Sequence, residues 1–150
     1  MVIVNELNRI LAEMVADSGC ALRYSTYETP SMANVVLDGA EMPAAVLYCA
    51  TDYRVSCSSG IVREHASVGV YFCVRQPNVD FHGAENEDLL DTLKPIAMRF
   101  VGKVADSDVI AIDSEDIDVQ SIYDKYDTNT TGLFLKFELA EMSGQCLAQY

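Results

Sequence analysis

Apolar residues recur at helical spacing from the first turn of the chain. Ile3, Val4, Leu7, Ile10, Leu11, Met14 and Val15 fall on one side, with Asn5, Glu6, Asn8, Arg9, Glu13 and Asp17 on the other. The pattern predicts an amphipathic helix, stopped at Ser18-Gly19, where glycine can take the left-handed cap conformation. Residues 22–28 then read as a strand closed by Pro30. Residues 34–37 read as a second strand ahead of an Asp38-Gly39 turn signal. After Pro43, residues 44–50 form an almost wholly apolar strand, which 53–57 continue beyond a bend. Ser58-Ser59-Gly60 marks a hairpin turn into a long strand over 61–74. The end of that strand, from Val68 to Val74, is apolar on both faces, as fully buried strands are.

Residues 77–83 read as a loop, and a second helix follows over 86–104. Leu89, Leu90, Leu93, Ile96, Ala97, Phe100 and Val104 make its buried stripe. Glu85, Glu87 and Asp88 lie near its start, where negative charge suits the positive end of the dipole. Pro95 removes one donor from inside this helix and predicts a kink there, not a break. A short strand at 109–112 comes next. Residues 117–126 and 133–142 then alternate apolar with polar on either side of a turn from Asp127 to Gly132. Leu133, Leu135, Phe137 and Leu139 share one face of that closing strand.

The expected fold is a single α+β domain over residues 1–150. It is a mixed, mostly antiparallel sheet of about seven or eight strands with two helices packed on one face. Two helices cover one face of such a sheet but not both, while 44–50 and 68–74 are apolar on both faces. Either the sheet folds over on itself or another copy covers the second face, since a bare apolar patch invites aggregation. Self-association is the expectation, with Val70 and Phe72 as candidate interface residues.

Composition sharpens this picture. With 150 residues, 50% of them apolar and 22% charged, the chain can bury a sizeable core. Its 23 acids against 10 bases give a net charge of −13. A surface this negative repels phosphate, so stable binding to nucleic acid or to anionic membrane is not expected. Acids concentrate at Asp106, Asp108, Asp113, Glu115, Asp116, Asp118, Asp124 and Asp127, with Lys125 as the nearby base, and read as a solvated edge. The 5 cysteines are odd in number, and no two have CxxC spacing. Reduced, buried thiols of a cytoplasmic protein are the reading. No signal-peptide pattern follows Met1, and no apolar run reaches membrane-spanning length.

Candidate chemistry is sparse. His65 and His82 have no Cys or acid at a recognised zinc-ligand spacing. The acid-rich stretch 113–118 lacks the central glycine and distal glutamate of a calcium loop. Cys73 precedes His82 by a short interval, but in the run Tyr71-Phe72-Cys73-Val74 it reads as inert core. No GxSxG, GxGxxG or GxxxxGK[ST] occurs. No catalytic, metal-binding or cofactor-binding residue is assigned, and the chain is expected not to be an enzyme.

The layout resembles that of the tail terminator, or tail-completion, proteins of long-tailed bacteriophages and prophages. The N-terminal helix over 2–17, the strand 43–50 ahead of a long hairpin and the second helix near 86–104 carry the resemblance. The closing strand Gly132-Leu133-Phe134-Leu135-Lys136-Phe137-Glu138-Leu139 completes it. The resemblance covers nearly the whole chain as an order of elements, without a signature motif. It implies a structural subunit forming a ring, typically of about six copies, that caps the tail tube at the head-side connector. Tail-tube and head-connector proteins would be its partners. Its place would be the bacterial host's cytoplasm and then the virion. An acidic lumen would let DNA pass without adhering. Type III secretion chaperones are also small and acidic and dimerise, but they usually close with a further helix where this chain closes with a strand. A small ligand-binding module is the third reading, and a deep pocket holding His65 or His82 beside an acid would favour it.

Overall fold

The computed structural model describes residues 1–48, 52–75, 83–125 and 130–146. Residues 77–82 of the expected loop, with His82, and residues 127–129 of the expected turn lie outside the described residues; Gly83 begins a helix, and Thr130, Thr131 and Gly132, expected in the turn, belong to a strand. Three helices and eight strands follow one another as α1 (Val2–Ala16), β1 (Tyr24–Glu28), α2 (Pro30–Asp38), β2 (Ala44–Tyr48), β3 (Asp52–Ser58), β4 (Ile61–Arg75), α3 (Gly83–Ala105), β5 (Ile110–Ile112), β6 (Asp118–Lys125), β7 (Thr130–Glu141) and β8 (Gln145–Cys146). The strands form one sheet with the path β1-β2-β4-β7-β5. Along this sheet β3 also pairs with β4, β6 with β7 and β8 with β4. All pairings are antiparallel except β1 with β2. The mixed α+β class expected from the pattern is therefore the observed one.

β4 is the spine. β2 pairs with its second half through Ala44↔Cys73 to Leu47↔Val70, and β3 with its first half through Asp52↔Ser67 to Ser58↔Ile61. Strands β2 and β3 thus run along one edge of β4 in succession; the bend expected between them falls at residues 49–51, outside the described residues. The turn between β3 and β4 places both Ser59 and Gly60 at positive φ, 53° and 78°. Two such residues match the right-handed twist of a hairpin's flanking strands.

On one face lie α1 and α3. Ile3, Leu7, Ile10, Leu11 and Met14 of α1 and Leu93, Ile96, Ala97, Phe100 and Val104 of α3 are buried against it. The sheet supplies Ala45, Leu47, Val68, Val70, Phe72, Leu135, Phe137 and Leu139. Phe100 sits edge-on to both Phe72 and Phe137, with ring centroids 5.4 and 5.6 Å away. Helix α3 continues through Pro95 without a break. Lys103 pairs with Glu13 at 2.8 Å and Arg99 with Asp17 at 2.9 Å, tying α3 to α1 at its polar rim. Met1 gives α1 no side-chain cap; instead the Glu64 carboxylate of β4 accepts from the Val2 amide at 2.8 Å. A carboxylate there satisfies an orphan donor and complements the dipole.

The opposite face corrects the sequence reading. Residues 34–37 are not a strand. They belong to α2, which covers the end of the second sheet face that the expected pair of helices left bare. Ala33 and Leu37 of α2, Ala44, Val46 and Tyr48 of β2, and Tyr71 and Cys73 of β4 form a second, smaller core. The physical reason is topological: β1 and β2 run parallel, and a parallel pair needs a crossover, here α2 laid across the sheet. Pro30 stands at the start of α2, where its missing N–H costs nothing. At the other end Arg75 donates to the Leu37 and Asp38 carbonyls at 3.0 and 3.3 Å. Beyond α2 this face turns polar. Ser67 donates to Glu138 across strands, and the Phe134 ring lies over Gly69, whose missing side chain makes room for it.

Candidate assembly surface

Val70 and Phe72, the expected interface residues, are both 0% exposed. Their side chains point into the larger core beneath α1 and α3, so no neighbour can reach them in this fold. The run 68–74 looked two-sided because helices of this same chain cover it from both sides, α3 and α1 on one, α2 on the other. The need for a second copy to cover this stretch disappears with that correction.

Exposed apolar side chains stand instead on the sheet's outer strands, at Tyr53, Val55 and Val119, and on the helices, at Met32 and Val35 of α2 and Met98 of α3. Every one of the seven residues of β3 is exposed. Among the described residues β3 pairs only with β4, and β6 only with β7. Each therefore offers one outer edge of backbone N–H and C=O groups, the feature that templates pairing with another chain. The two edges stand at opposite sides of the sheet, because β4 and β7 lie between them.

The cross-strand register fixes which side chains share a face. Tyr53 and Val55 lie opposite Ala66 and Glu64, on the face that α1 and α3 cover, yet both are exposed, at 44% and 54%. Arg54 and Ser56 take the other face, with Arg63 and His65 opposite Ser56 and Arg54. On β6, Val119 lies opposite Leu135 on the helix face and is 47% exposed, while Asp118 lies opposite Lys136 on the other. An open groove of about 460 Å³ runs between α3 and β6, lined by apolar Leu90, Met98, Val119 and Leu133 and by polar Glu87, Asp91, Lys94 and Ser121.

A polar cluster lies on the opposite face of the hairpin. Ser56 Oγ is 3.0 Å from His65 Nε2, and His65 Nδ1 is 3.5 Å from Asp113 Oδ2. The order of groups is that of a nucleophile, a base and an acid, brought together from β3, β4 and the residue after β5, which no sequence spacing connects. The geometry falls short of that chemistry. Nδ1 is buried without a hydrogen bond, so Asp113 does not orient the ring, and Ser56 stands on a fully exposed strand with nothing to keep water away. Among the described residues no group of three or more His, Cys, Asp or Glu side chains could hold a metal ion, and the Ser114 hydroxyl in the acid-rich stretch bonds the Asp116 carbonyl. Cys73 is buried, and burial pushes its thiol up to about 12, which leaves it protonated and unreactive. Cys57 on β3 is exposed.

No family model matches the chain, and no curated protein matches it. Among the described residues no helix is long and apolar enough to cross a membrane.

Proposed function

We propose that this chain is a non-enzymatic, self-assembling structural subunit, a ring-forming tail terminator or tail-completion protein at the junction of tail and head in a phage or prophage. The observation that carries the reading is that β3 and β6 are exposed outer strands at opposite sides of one sheet, whose path itself ends on β1 and β5. A chain with unlike sticky edges joins head to tail, and head-to-tail contacts close into rings when the rotation allows. The order of elements supports the tail assignment: an N-terminal helix, a strand leading into a long hairpin, a second long helix and a closing strand. The net charge of −13 supports a lumen that DNA crosses without sticking.

In this role the subunit assembles in the host cytoplasm, is built into the virion and contacts tail-tube and connector proteins. Native mass measurement of the purified protein, with electron microscopy of the same sample, tests it. A closed ring of uniform copy number is the expected result. A protein that stays monomeric at high concentration and low salt overturns the reading.

A further inference from the structure

We infer that β3 of one copy pairs edge to edge with β6 of the next, continuing the sheet from subunit to subunit and seating Tyr53 and Val55 in the groove between α3 and β6. This joint deepens the ring reading and rests on it, with a second copy of the chain as the occupant.

Strand direction allows it. β3 runs against β4, β4 against β7 and β7 against β6, so β3 and β6 point opposite ways within one sheet. A copy shifted sideways along the sheet therefore presents its β6 antiparallel to the neighbour's β3. Lengths match as well, seven residues against eight.

The side chains then fall in agreement. A strand added beside β6 must keep the alternation of faces, because the side-chain period is two. Tyr53 and Val55 arrive on the helix face, next to exposed Val119 and the groove walls Leu90, Met98 and Leu133. On the other face, Arg54 arrives on the side of Asp118. Among the described residues neither Arg54 nor Arg63 has an ion-pair partner within its own chain. Arg54 and Arg63 stand on the hairpin with Asp52 and Glu64, while the opposite edge carries Asp118, across from Lys136, and the groove is lined by Glu87, Asp91 and Lys94; the local match is Arg54 with Asp118 on the polar face. Charge complementarity of this kind sets register and partner more than it sets raw affinity. One chain thus carries both halves of a joint that it cannot close on itself.

The test is a charge swap across the joint, read as native particle mass. Val55→Asp and Val119→Lys each alter a side chain that is about half exposed in the single copy, so each variant should fold. Each alone should reduce the wild-type particle to monomer. The double variant V55D/V119K should recover the particle, because each copy's aspartate then meets its neighbour's lysine. Amide hydrogen exchange on the wild-type particle gives a reading that needs no variant: the amides of β3 and β6 should exchange as slowly as those of β7. A wild-type particle whose mass survives both single substitutions, or whose β3 and β6 amides exchange freely, overturns the joint while leaving the ring reading standing. A monomeric wild type overturns both.

Discussion

Replacing Phe100 with alanine probes the packing on which the fold is built. Phe100 is 0% exposed and touches Phe72 of β4 and Phe137 of β7 edge-on, so one ring links α3 to the two central strands. Truncating a buried phenylalanine costs about 3–5 kcal/mol, the lost transfer energy plus the cavity left behind. Two aromatic contacts vanish together, each worth about 0.5–1.5 kcal/mol beyond area, which places the expected loss near the top of that range at about 4–5 kcal/mol. A domain of this size has about 5–15 kcal/mol in all. F100A should therefore sit close to the edge of folding, with its melting temperature lowered by about 10–20 °C. Phe100→Leu, which keeps most of the volume, should cost about 1.5 kcal/mol or less. Urea titration followed by far-UV circular dichroism measures both, at one fixed protomer concentration because assembly couples to stability. The midpoint should fall with the slope unchanged. A loss below about 1 kcal/mol for F100A would refute the reasoning, since only a ring outside a tight core comes away so cheaply.

Three further outcomes follow from particular contacts. Gly69→Ala places a methyl where the Phe134 ring lies, so it should destabilise by about 1–3 kcal/mol, and a second change Phe134→Leu should restore more than half of the loss in a double-mutant cycle. A thiol reagent at neutral pH should modify Cys57 quickly and Cys73 only on unfolding; with the Cys73 thiol held at about 12 against 9.0 in the open chain, its contribution to stability is intact below pH 9 and declines as pH rises above it. The hydrogen bond and charge of Lys103, helped by Arg9, hold the Glu13 carboxyl below its usual range. Its contribution is therefore present above the open-chain value of 4.5 and is lost as pH falls through the lowered folded value. Melting curves from pH 7 downward should show a smaller acid-induced decline for Glu13→Gln than for wild type, and equal declines would remove Glu13 from the account.

Much of the fold was legible because long periodic segments state their partners' geometry. The stripe of α1, the apolar strand β2 after Pro43, the buried stripe of α3 and the alternation of β7 all predict elements that the structure contains. Leu133, Leu135, Phe137 and Leu139 do lie together on the buried face. α2 was hidden because it is short and its Val35-Val36-Leu37 run mimics a strand. Signals for it were nonetheless present. Pro30 can open a helix, Ala33 and Leu37 are four apart, and Gly39 follows directly. That one misreading carried into the choice of site. With α2 taken as a strand, the double-sided run 68–74 looked uncovered, and Val70 and Phe72 looked available. A sequence shows that a residue is apolar on a two-sided strand but not which element lies above it. It likewise shows the alternation of Tyr53, Arg54 and Val55 without showing that all three are exposed on an outer strand. The meeting of Ser56, His65 and Asp113 depends on cross-strand register, which no local pattern encodes.

Subunits that bear two unlike open edges should not stay single, and weighing the native particle decides this most directly. Light scattering on the purified full chain, joined to electron microscopy of the same fractions, should return one discrete multiple of 16.5 kDa and closed annular particles. A single mass of 16.5 kDa across the accessible concentration range, with no annular particles, would contradict the account.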